Sequence, residues 1–140
     1  MTSVAKDMAD LLETRGVGTV GTDIYIGQLP DRNDSPDKAI GVFETGAIYL
    51  NPRCQRDELM VQFLARGPQR DYETSYTWAK QVQDAILGIP PQTVNGKSYV
   101  LFVSIGGISH TGMDQRERHV FSLNFKIVSE NVPGGVRLPF

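Results

Sequence analysis

A chain of 140 residues, 40% hydrophobic and 21% charged with a mean hydropathy of −0.24, has enough material for one domain with its own core. Its net charge of −2 and pI of about 5.6 exclude a grip on nucleic acid by bulk electrostatics, which needs a basic surface. One cysteine, Cys54, rules out an internal disulfide, a cysteine-based zinc site and CxxC redox chemistry.

No window approaches the roughly 18 apolar residues of a bilayer span, so no membrane partner is expected. The first 15 residues carry Lys6, Asp7, Asp10 and Glu13 inside their apolar pattern, which lacks the core of a signal peptide and points to cytosolic synthesis. Val4, Met8, Leu11 and Leu12 fall on one helical stripe, with Thr2 or Ser3 as N-cap and Gly16 just past the end. The glycine-rich segment 16–23 then precedes the short strand Ile24-Tyr25-Ile26. A phosphate-binding loop follows a strand and opens a helix; here the order is reversed and no Gly-Lys-Ser/Thr follows.

Residues 28–38, with Pro30, Asp31, Asn33, Asp34, Ser35, Pro36 and Asp37, form a polar loop without the spacing of a calcium-binding hand. A short strand is expected over 39–44. Between 45 and 57 Gly46 and Pro52 act as breaks, leaving a loop with at most a short strand around Ile48, Tyr49 and Leu50. Residues 58–66 read as a strand with apolar groups on both faces, ended by Gly67-Pro68. Asp71 caps a second helix over 72–87, with Tyr72, Tyr76, Ala79, Val82 and Ile86 as its apolar stripe and Trp78 at the edge. Gly88 and Ile89-Pro90-Pro91 stop it.

Asn95-Gly96 is a turn signal, and 98–105 is a strand that aligns Tyr99, Leu101, Val103 and Ile105 on one face. Residues 106–117 are too long for a tight hairpin and read as a protruding arm. The clearest strand is 118–128: Phe121, Leu123, Phe125 and Ile127 alternate with Ser122, Asn124 and Lys126. From these elements we expect an α+β fold, a small mostly antiparallel or mixed sheet packed on one face by two helices. A single domain over 1–128 is followed by a tail, 129–140, whose Val136, Leu138 and Phe140 need a surface to land on.

Chemistry is sparse. Ser109, His110 and Asp114 supply a triad's residue types, but a working triad needs a serine on a rigid turn and an oxyanion hole. His119 heads a strand, and no three convergent metal ligands are evident. We therefore expect no enzyme, metal or cofactor. The arm carries Asp114, Arg116, Glu117 and Arg118, mixed charges suited to register-specific contacts between subunits. Arg66 and Arg70, with Leu138 and Phe140 of the tail, complete the expected interface.

Three stretches carry a resemblance. The run Gly16-Val17-Gly18-Thr19-Val20-Gly21-Thr22-Asp23-Ile24-Tyr25-Ile26-Gly27-Gln28-Leu29-Pro30, the helix after Arg66-Gly67 with Tyr72, Tyr76 and Ala79, and the charged arm running from Gly112 into the alternating strand at Phe125 resemble the minor capsid or tail-terminator proteins of long-tailed bacteriophages. The likeness covers most of 1–128; residues 131–140 extend beyond it. It implies a structural virion protein made in the host cytoplasm and located at the head–tail neck. A homohexameric ring would cap the tail tube, halt polymerisation of the tube protein and dock to the head connector. DNA would cross its lumen without specific binding. The alternatives are a head-completion or connector adaptor and, less favoured, a small hydrolase using Ser109, His110 and Asp114.

Overall fold

The computed structural model describes residues 2–30, 36–51 and 56–130. Its elements run α1 (Val4–Thr14), β1 (Ile24–Ile26), β2 (Ala39–Asn51), β3 (Arg56–Gln69), α2 (Tyr72–Ile86), β4 (Gln92–Val94), β5 (Lys97–Met113) and β6 (Arg118–Glu130). The strands form one mixed sheet in the order β1-β2-β3-β6-β5-β4, in which β1 runs parallel to β2 and every other pair is antiparallel. The class is α+β, as expected, with more sheet than the sequence announced.

β6 occupies the middle. Phe121, Leu123, Phe125 and Ile127 are buried, and Phe125 meets Phe63 of β3 edge-on at 5.5 Å. Ser3 caps α1, its hydroxyl accepting from Lys6 N at 3.1 Å, and the predicted stripe Val4, Met8, Leu11 and Leu12 enters the core. One further N–H of the first turn, that of Ala5, finds Glu44 Oε1 of β2 at 3.1 Å. Asp7 is also buried, on the same helix. Its carboxylate accepts from Thr2, from the Tyr99 hydroxyl and from Asn95 Nδ2 at 2.8 Å, with Lys97 Nζ at 3.3 Å. This network pins α1 to the β4–β5 hairpin. Burial pushes the Asp7 carboxyl upward, but the three hydrogen bonds and the Lys97 ammonium outweigh it and hold the group below the usual carboxylate range. The same pairing and burial push the Tyr99 hydroxyl well above its ordinary value.

Several expected breaks turn out to lie inside strands. β2 continues through Gly46, which takes φ +110° at a register shift, so residues 45–51 are strand rather than loop. β3 likewise continues through Gly67-Pro68 to Gln69, again at a register shift. Gly67 is required by close approach: a Cβ there would lie 2.0 Å from Ser75 Oγ and 2.6 Å from Ser75 Cα on α2. β4 was not foreseen; it pairs with β5 across Asn95 and Gly96, whose φ values of 51° and 81° suit the turn that this dipeptide signals. β6 runs two residues past Val128, to Glu130.

The protruding arm is replaced by a hairpin. β5 extends to Met113 and β6 begins at Arg118, so a four-residue turn, 114–117, joins two long paired strands. Three register shifts interrupt their ladder, between Tyr99 and Leu101, Ile105 and Ser109, and His110 and Gly112. The first overturns the expected face of β5: Tyr99 and Phe102 are buried, whereas Leu101 and Ile105 are 45% and 39% exposed. On α2 the Asp71 cap holds, with Oδ1 accepting from Thr74 N at 3.0 Å. Its buried side, however, is Ser75, Trp78, Ala79, Val82 and Ile86, with Trp78 Nε1 donating to Ala39 O at 3.2 Å. Tyr72 and Tyr76, expected in that stripe, are 44% and 40% exposed. Ser75, seated on Gly67, rotates the helix so that the tyrosines lie beside the β5–β6 hairpin. α1 packs on β1 and β2, and α2 on β3, β6 and β5.

Candidate functional site

The turn at 114–117 is held by several side-chain and backbone hydrogen bonds. Asp114 Oδ1 accepts from the backbone N–H groups of Arg116 and Arg118 at 2.9 and 3.0 Å, and Oδ2 accepts from Arg118 Nε at 2.9 Å. Burial pushes the Asp114 carboxyl up, but those two N–H groups and the guanidinium more than reverse this, leaving it below the usual range. Glu117 closes the turn with φ +61°. Its carbonyl accepts from Arg70 N at 2.9 Å, its carboxylate pairs with the Arg70 guanidinium, and Arg116 O accepts from Gln69 Nε2 at 3.0 Å. The hairpin tip is thereby bound to the corner between β3 and α2.

Beneath the tip lie two arginines with no exposed side-chain surface to speak of. Arg118 is fully buried and reaches Asp37 Oδ1 at 3.2 Å as well as Asp114. Arg66, equally buried, donates to three backbone carbonyls: Pro30 at 2.5 Å, Pro36 at 2.6 Å and Asp37 at 3.0 Å. A guanidinium presents a rigid fork of five donors, so it can gather several backbone carbonyls at once. Together the two arginines tie the ends of the polar 28–38 loop to β3 and β6.

The expected interface residues therefore divide. Arg66, Asp114 and Arg118 turn inward and build the tip. Arg70, 80% exposed at its side chain, and Glu117 face outward as a pair. Arg116 is half-buried. Leu138 and Phe140 lie outside the described residues. Asp37 and Gln69 were missed, because nothing local distinguishes Asp37 from its polar neighbours. The Ser109, His110 and Asp114 set is not assembled as a relay: Asp114 is committed to Arg118, and His110 Nε2 faces His119 Nδ1 at 3.0 Å. Asp71, near His119, is held below the usual carboxylate range chiefly by the N–H and hydroxyl of Thr74.

This geometry fixes a charged surface around the hairpin tip. A family model described as bacteriophage tail terminator protein matches residues 11–131. Among solved structures, a chain from the virion of a native gene transfer agent (GTA) particle superposes with a TM-score of 0.59 at 13% identity, covering 89% of this chain and 84% of that one. No curated protein matches the sequence.

Proposed function

The chain belongs to the bacteriophage tail terminator family, virion structural proteins of the tail, and from that premise we propose that it closes into a homohexameric ring capping the tail tube. The ring stops polymerisation of the tube protein and docks the finished tail to the head connector. It acts at the neck, after assembly in the host cytoplasm, by binding and without a catalytic step.

The observation that carries this reading is the pair of unequal sheet edges. β4 covers only Lys97–Tyr99 of β5, so the outer edge of β5 from residue 100 to 113 has no strand partner among the described residues. At the opposite end, β1 covers only Ile40–Val42 of β2, leaving 43–51 without a strand partner on that side among the described residues. Long free edges invite pairing with another chain. Two different edges on opposite ends of one sheet are what a head-to-tail, ring-closing contact uses. On this reading the helices cover one face of the sheet and leave the other face and its edges to neighbours. At the tip, Arg70, Arg116 and Glu117 reach the next subunit or the tube, braced from below by Arg66, Asp114 and Arg118. The 1–128 body carries these contacts, and Leu138 and Phe140 of the 129–140 tail settle on a neighbouring subunit. DNA crosses the lumen without base contacts, which the net charge of −2 favours.

Native mass spectrometry of the chain, alone and with tube protein, tests this. A six-copy species with the tube protein is expected, and Leu101→Lys with Ile105→Lys should weaken it. Monomers under every condition would overturn the ring and favour an adaptor that binds a single partner.

A further inference from the structure

The chain has two histidines, and the β5–β6 hairpin places them side by side. His110 Nε2 lies 3.0 Å from His119 Nδ1, with ring centroids 5.1 Å apart. His110 is paired with Phe121, so His119, two residues along β6 on the same face, is its diagonal cross-strand neighbour. Tyr72 then packs on both imidazoles, at 5.3 Å from each, and Phe121 on His110 at 5.1 Å, so the rings are held in place by neighbours on α2 and β6. His110 remains exposed and His119 half-buried, which leaves the pair open to solvent.

Two imidazole nitrogens facing each other at this distance share one proton, or one metal ion. Nitrogen ligands sit about 2.0–2.1 Å from a late first-row ion. Two such ligands lie ~3.0 Å apart when the angle at the metal is near 90°, and ~3.3 Å apart at the tetrahedral angle. The observed spacing, that of a hydrogen bond between the rings, lies within about 0.3 Å of either bite, so little movement is needed to seat an ion. We propose that His110 Nε2 and His119 Nδ1 form a two-nitrogen chelate for a divalent late first-row metal ion such as Ni²⁺ or Cu²⁺.

Both rings bind as neutral imidazoles. The one that now carries the shared proton moves it to its outer nitrogen, so the ion replaces the proton between the rings with no net proton release. Asp71 lies near His119, but its carboxylate is occupied with Thr74. Among the described residues no third histidine, cysteine or carboxylate joins the pair. The remaining coordination positions fall to water or to a donor from another chain, and affinity is correspondingly modest.

The inference is independent of the ring, because it concerns the isolated chain. The test uses the full chain without an affinity tag and Ni²⁺ as the only added ligand, followed by calorimetry and by NMR. One ion per chain is expected, with paramagnetic broadening centred on His110, His119 and Tyr72. His110→Gln and His119→Gln should each weaken binding at least tenfold. His110 is exposed, so the first variant serves even if the second fails to fold. Broadening elsewhere, no binding by the parent chain, or unchanged affinity in His110→Gln would overturn the proposal.

Discussion

Arg118 on β6 and Asp37 in the polar loop, 81 residues apart in sequence, meet as an ion pair at 3.2 Å. One partner is fully buried and the other largely exposed, so the contact joins the floor of the hairpin tip to the surface loop beside it. Asp114 holds the same guanidinium from the other side. A buried charge with two carboxylates around it is tolerated because its hydrogen bonds are made; removing it leaves Asp114 with only its backbone N–H partners, while the exposed Asp37 turns to water.

Arg118→Met is accordingly expected to destabilise the chain by about 3 kcal/mol and to loosen the turn, since Asp114 loses its guanidinium. Arg70→Ala removes the exposed pair with Glu117 and should change stability by less than about 1 kcal/mol. Thermal unfolding of the two variants side by side checks the contrast; equal losses would show that the buried pair has no special weight.

Asp7 makes stability depend on pH. Its folded value lies below its unfolded one, so its contribution is complete above the unfolded carboxylate value of about 3.9 and is lost as pH falls through the folded value. Urea midpoints for the parent should drop between about pH 5 and pH 2, with Asp71 and Asp114 adding in the same sense. Asp7→Asn is expected to lose about 2 kcal/mol near neutrality and to show a flatter acid limb. An equally steep limb in Asp7→Asn would remove Asp7 as a source.

Gly67→Ala should be costly despite its small volume change. The added methyl would meet both the hydroxyl and the Cα of Ser75, and the Cα belongs to the α2 backbone. A loss of about 2–3 kcal/mol is expected. Adding Ser75→Ala should recover only part of it, since the backbone contact remains; full recovery by the double variant in a melting experiment would show that the side chain alone was in the way.

Charge reversal at the tip separates assembly from folding. Arg70→Glu with Arg116→Glu is expected to shift monomer stability by only about 1 kcal/mol. In a complementation assay with a phage lacking its own copy, the same variant should yield tails of irregular length or tails that fail to join heads. Normal particles would remove the tip from the proposed interface.

How far these features could be read in advance varied with their physics. The alternation of Phe121, Leu123, Phe125 and Ile127 was legible because burial on one face of a strand imposes a period that no other structure shares. Ser3, Asp71 and Asn95-Gly96 were legible because a cap or a tight turn is satisfied locally. Gly46 and Gly67-Pro68 were misread as breaks. A left-handed φ or a missing N–H serves a bulge as well as a turn, and only the partner strand decides between them. The bulge between Tyr99 and Leu101 then reversed the face of β5 beyond it. The charged run 114–118 gave the right location for the tip but not the direction of its side chains, because pairing with Asp37 is a long-range fact.

Electron microscopy of tail tubes polymerised from purified tube protein with and without this chain tests the proposed ring most directly. Tubes should stop growing and carry six copies at one end, with density for the 114–117 turn at a subunit or tube contact. Tubes that lengthen as though the chain were absent, with their ends bare, would contradict it.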